Sequence, residues 1–149
     1  GALFLLVGVV YDRRHTRLIE EYGGIAEVMP KYAAVFMIVM LSSIGLPGLN
    51  GFVGEFLILV GSYQTSPVYA IFAAAGVILA AIYLLWMYRR VFFGPITHEE
   101  NRSLKDLNAA EWASLLPILV FIVWIGVHPN TFLGKMSVSI GHFLTQFAH

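Results

Sequence analysis

Glu55 is the one charged residue in the interior of this chain's long apolar segments, and it directly follows a cluster of helix breakers. The run reads Ile44-Gly45-Leu46-Pro47-Gly48-Leu49-Asn50-Gly51-Phe52-Val53-Gly54-Glu55-Phe56. A charged side chain in hydrocarbon costs about 2.5–3.5 kcal/mol on insertion scales, so it needs a partner, water or a task that repays it. Gly45, Pro47, Gly48, Gly51 and Gly54 predict that the backbone leaves plain helix here. Such a break frees carbonyls at the end of one half-helix and amides at the start of the next. Ser42, Ser43 and Asn50 are the neighbouring groups able to satisfy them. The amino end of the second half favours a charged carboxylate through its dipole, whereas desolvation favours the neutral acid. A carboxyl held between those influences can take and release a proton, so the constellation points to an ion or proton pathway. The opposing reading is a structural acid, salt-bridged to a base outside this sequence, beside a glycine–proline packing kink.

The elements that must position Glu55 are apolar helices. The 149 residues are 58% hydrophobic and only 12% charged, about half the charged share of an ordinary soluble domain. The fold class is therefore all-α, a polytopic membrane protein. Nine basic residues balance nine acidic ones and none is cysteine. That balance, with no run of basic and aromatic residues, argues against nucleic acid, and the missing thiols exclude disulfides and cysteine-held metal or iron–sulfur centres. Four apolar blocks stand out: residues 1–11, 29–63 with its break at 45–51, 68–88, and 112–127 with Pro117 in its first half. Residues 130–149 read as a weakly amphipathic tail at the membrane interface. Eleven helical residues span only about 16 Å, half a bilayer core, so the first helix is expected to begin upstream in a longer chain. With no positively charged n-region or cleavage site, residues 1–11 do not read as a signal peptide.

The second block could be two spans or one interrupted crossing. Residues 52–64 reach only about 20 Å as helix, too short to cross alone. A single crossing also puts eight of the nine basic residues on one side: Arg13, Arg14, Arg17, Lys31, Arg89, Arg90, Arg102 and Lys105. Only Lys135 falls on the other side, as the positive-inside rule expects. The single interrupted crossing is the better reading.

Other polar residues carry weaker signals. Lys31 at the membrane edge snorkels by default and is an auxiliary path candidate. His128, before Pro129, is a second auxiliary candidate at the far-side mouth, and more simply a helix-end histidine. Ser42 and Ser43 read as packing hydroxyls or as relay groups beside the break. His15 lies in a basic, headgroup-facing loop. Tyr83, Trp86, Tyr88 and Trp124 fit the aromatic belts of a membrane protein. His98, His142 and His149 have no metal-ligand spacing, so no metal site is expected.

The run from Ile44 to Phe56 resembles the broken-helix motif of the antiporter-like, proton-translocating subunits of respiratory complex I, most closely the subunit M branch of NADH–quinone oxidoreductase. Gly1–Gly8 followed by Tyr11-Asp-Arg-Arg-His-Thr-Arg17, then Gly23-Gly24, Met29-Pro30, and Tyr83–Gly94, match the same family. The similarity covers nearly the whole chain and weakens after about Thr97.

The resemblance implies a fourteen-helix parent with two inverted repeats, each holding one broken helix, of which this chain is the C-terminal part. It places Glu55 at the key acid of the second broken helix, where sibling subunits carry lysine. It also implies a site joining a central polar chain to an exit half-channel, with the charged-loop side cytoplasmic. The family's other relay residues would lie upstream of Gly1. The implied setting is a bacterial inner (plasma) membrane, multi-pass. The implied partners are other membrane subunits of complex I, above all adjacent antiporter-like ones, and the lipid bilayer. No cofactor is expected in this chain, which would serve an NADH:quinone oxidoreductase without redox chemistry of its own. The rival readings are a cation/proton antiporter or membrane-bound hydrogenase subunit of the same superfamily, or a purely structural membrane subunit.

Overall fold

A computed structural model describes residues 1–147; Ala148 and His149, and with them the end of the expected tail, lie outside the described residues. Those residues form an all-α fold in the order α1 (Ala2–Arg14), α2 (Ile25–Val28), α3 (Pro30–Ser43), α4 (Asn50–Thr65), α5 (Pro67–Phe92), α6 (Ala109–Val127) and α7 (Asn130–Phe147). Short 3-10 turns at Ile19–Glu21 and Glu99–Ser103 lie in the charged loops. Of these helices, α5 and α6 are long and apolar enough to cross a membrane, by length and composition.

Local chemistry explains the boundaries. Pro30 and Pro67 open α3 and α5 at the first helical position, where a missing N–H costs nothing. Asn108 and Glu111 open α6 with a reciprocal capping box, Glu111 N–H donating to Asn108 Oδ1 at 2.9 Å and Asn108 N–H to Glu111 Oε2 at 2.8 Å. That box starts α6 at Ala109, ahead of the expected 112. Helix α5 continues to Phe92, past the expected 88, so Arg89 and Arg90 occupy its last turn and face its negative dipole end. Helix α1 likewise runs on to Arg14, closed by His15 in left-handed geometry. The tail is a helix more amphipathic than expected, with Phe132, Met136, Ile140 and Leu144 one turn apart along one stripe.

The core lies where α1, α3 and α5 meet. Phe92, only 1% exposed, stacks on Tyr88 with ring centroids 4.3 Å apart and sits 4.9 Å from Phe36 and 5.7 Å from Tyr32. Two of the buried tyrosines bind backbone of neighbouring helices: Tyr32 OH donates to Leu6 O at 2.9 Å and Tyr88 OH to Ala33 O at 3.0 Å. Phe92→Ala should cost about 3 kcal/mol, the low end for such a truncation because lipid supplies little hydrophobic drive between helices. Thermal inactivation of the purified parent protein reads that loss, and an unchanged midpoint would contradict the packing described.

Candidate functional site

Between Ser43 and Asn50 the chain makes two turns in succession, each dictated by a glycine. Helix α3 ends in a Schellman motif: Leu46 N–H donates to Leu41 O at 3.0 Å and Gly45 N–H to Ser42 O at 3.2 Å. The motif needs a left-handed residue at Gly45, whose φ is 74°. Leu46-Pro47-Gly48-Leu49 then forms a β-turn closed by Leu49 N–H to Leu46 O at 3.1 Å. Pro47 presets the first central position, and Gly48, at φ 93°, supplies the positive φ a type II turn requires at the second. Helix α4 resumes at Asn50, so the non-helical stretch is 44–49 rather than the expected 45–51. Asn50 and Gly51 belong to the first turn of α4.

This geometry brings the predicted residues together. The Glu55 carboxyl folds back onto Gly45 and fills the space a Cβ there would take. Gly51 lets α4 touch the backbone of α3, since a Cβ on Gly51 would overlap the Ser42 carbonyl. Ser42, 5% exposed, donates its hydroxyl to Asn50 Oδ1 across the gap. Ser42, Ser43, Asn50 and Gly51 line a cleft of about 340 Å³ together with the first residues of α1 and with Ile118 and Ile122 of α6. Glu55 itself is half-buried and, among the described residues, its carboxyl forms no ion pair or side-chain hydrogen bond.

Among the described residues, the ion pairs lie on the charged-loop side. Arg13 grips Glu111 through two hydrogen bonds, 2.8 and 2.9 Å long, and also donates to Val9 O and Asp106 O. Arg14 pairs with Glu100 and Glu21. Asp106 caps α3 from another part of the chain, accepting from Lys31 N–H and Tyr32 N–H at 2.9 Å each. Burial pushes the Tyr22 phenol above its ordinary range while nearby Arg14 pulls it back. Sequence reading missed Asp106, Arg13, Glu111 and also Gly126 of α6, where a Cβ would overlap the Gly48 carbonyl and the Leu49 Cα. Of these, only the Asn-x-x-Glu capping box was there to be found in the sequence.

Residues 1–85 match the family model described as the NADH:quinone oxidoreductase/Mrp antiporter transmembrane family. The chain belongs to this family. Relatives of this antiporter-like chain include NADH-quinone oxidoreductase subunit M of Rhodobacter capsulatus, 44% identical over 99% of this chain and 29% of that protein. NADH-ubiquinone oxidoreductase chain 4 of Arabidopsis thaliana is also 44% identical, over 97% of this chain and 29% of its own length. The chain thus spans about 30% of the length of the curated relatives it matches. Among solved structures, a chain of respiratory complex I from Thermus thermophilus superposes with a TM-score of 0.80 at 40% identity, over 87% of this chain and 27% of that one. A chain of the Mrp complex of a Dietzia species gives a TM-score of 0.74 at 20% identity, over 89% of this chain and 33% of its own, a likeness of fold alone.

Of the remaining predicted residues of this antiporter-like chain, Lys31 sits apart from the connector. Lys31 is exposed at the opposite end of α3, and only its backbone N–H is engaged, by Asp106. His128 is the exposed C-cap of α6, its backbone N–H donating to Trp124 O. Pro47 and Gly54 are exposed, and the Ser43 hydroxyl turns back to Val39 O at 3.0 Å. Among the described residues, no three His, Asp or Glu side chains are placed to hold a metal ion.

Proposed function

We propose that the parent protein is a proton-translocating membrane subunit of an NADH–quinone oxidoreductase, and that Glu55 is a station on its proton path. The observation that carries this reading is the Glu55 carboxyl lying on the Gly45 backbone in the helix connector, with no ion pair to it among the described residues. Family membership and the names of the relatives support the enzyme complex. In this reading α3 and α4 are the halves of one crossing, because 14 and 16 residues reach only about 21 and 24 Å. The chain does no redox chemistry and binds no cofactor. Its partners are the neighbouring membrane subunits of the complex, above all antiporter-like ones, and lipid. Its home is a bacterial inner membrane, and α7 lies along the interface on its apolar stripe. Glu55 takes a proton from a buried hydrated chain and releases it toward the opposite half-channel when neighbouring charges change state. Lys31 and His128 act as snorkelling and helix-end groups.

Two experiments test it. Proton uptake during NADH oxidation, in inverted membrane vesicles carrying Glu55→Gln in the parent chain, tests the path; full uptake by an assembled complex removes Glu55 from it. Arg14→Cys and Arg102→Cys test the single crossing, since both should react with a membrane-impermeant maleimide from the same side. Labelling from opposite sides would require two crossings.

A further inference from the structure

We infer that the segment Asp106–Gly126 is a positioning strut that holds the α3–connector–α4 unit at two points and so sets where the Glu55 carboxyl lies. The inference rests on the reading of Glu55 as a path residue. At one end the Asp106 carboxylate accepts the second and third amides of α3, Lys31 N–H and Tyr32 N–H. A helix accepts such a cap from its own N-cap residue as a rule. Here that residue is Met29, which makes no side-chain cap, and Asp106, 75 residues beyond Lys31, supplies the oxygens. Asp106 is in turn fixed, because Arg13 donates to its carbonyl and clamps Glu111 in the first turn of α6.

At the other end Gly126 presses the α6 backbone onto the Gly48 carbonyl and the Leu49 Cα. The contact is backbone on backbone, so no side chain can swing away to relieve an added methyl. Between the two points α6 runs as one helix, contacting α1, α3 and α4. Its Leu115 and Ile122 are buried, 1% and 6% exposed. The connector therefore meets Gly126 at Gly48 and Leu49 and carries the Glu55 carboxyl at Gly45. A shift of α6 against α3 pushes on the second turn of the connector, which is continuous through Leu46 with the turn on which that carboxyl rests.

Asp106 and Gly126 are positioning residues, so their replacement must be read at Glu55 itself. The probe is dicyclohexylcarbodiimide, which adds to protonated carboxyls in apolar surroundings, followed by peptide mass mapping of Glu55 in the intact, assembled parent complex. Gly126→Ala and Asp106→Ala should each change the Glu55 labelling rate by roughly fivefold or more, a coupling at the low end of the range between linked sites. Asp106→Asn, which keeps one acceptor oxygen, should restore part of the wild-type rate. A contact that matters only for assembly would lower the yield of complex and leave labelling per complex unchanged, and that result overturns the inference. Should Gly126→Ala fail to assemble, the Asp106 pair decides alone by the same criterion. Labelling does not depend on pumping. Full pumping by Glu55→Gln would therefore sink the function reading, while unchanged labelling would sink only the strut.

Discussion

Glu55→Gln should cut proton translocation by the assembled parent complex at least about tenfold, a barrier increase of about 1.4 kcal/mol or more. The substitution preserves shape, since a carboxamide fits the seat on Gly45 that the carboxyl occupies, and it removes the proton that can be exchanged. Assembly should hold, because no ion pair within the described residues depends on Glu55. Glu55→Asp keeps the acid and withdraws it by one methylene from Gly45, so it should fall between the wild type and the amide. The structural rival makes the opposite forecast. An acid held in a static ion bridge to another part of the parent would lose stability on amidation, as a buried partner is left uncompensated, while the remaining complex pumped normally. Vesicle pumping per NADH oxidised, normalised to assembled complex, separates the two outcomes.

What could be read from the sequence and what could not divide along the range of the interactions. Gly45 and Pro47-Gly48 encode their turns through φ preferences within a few residues, so a non-helical stretch here was predictable, and its limits differ from the expected ones by only one or two positions. Glu55 drew attention by cost, a local property of a charge in an apolar run. The start of α6 was also encoded locally, in Asn108 and Glu111, and hydropathy passed over it because capping residues are polar. The contacts of Gly126 and Asp106 had no local signal. Gly126 lies in an apolar run where glycine is common in membrane helices, and its role exists only because the fold lays α6 on a turn 78 residues earlier. Asp106 reads as a loop carboxylate until α3 is seen to begin without a cap of its own. Lys31 shows the reverse case. Its place beside Pro30 at a membrane edge suggested a snorkelling amine first and an auxiliary path role second, and the structure adds a contact of its backbone amide with Asp106 that neither reading contained.

Gly51→Ala carries the second large expectation because two effects of known size oppose each other. Alanine for glycine inside a helix gains about 1 kcal/mol of propensity. At Gly51 the new Cβ would overlap the Ser42 carbonyl, and that carbonyl is already committed to Gly45 N–H at 3.2 Å. Ser42 cannot step aside either, being 5% exposed and bound through its hydroxyl to Asn50. Relief requires α3 and α4 to separate, at about 1–3 kcal/mol for overpacking and about another 1 kcal/mol for the Ser42–Asn50 hydrogen bond. The clash wins, and it opens the gap beside the seat of Glu55. Gly61 on the same helix has nothing within 4 Å of the site of a new Cβ, so Gly61→Ala keeps only the propensity gain. Gly45→Ala adds a third case, paying about 1–2 kcal/mol for a left-handed alanine while its methyl displaces the Glu55 carboxyl. The expected order of proton pumping per assembled complex is Gly61→Ala at the wild-type level, with Gly51→Ala and Gly45→Ala several-fold lower. Equal pumping by Gly51→Ala and Gly61→Ala would mean that α3 and α4 do not meet at Ser42, and the site built on that contact would fall with it.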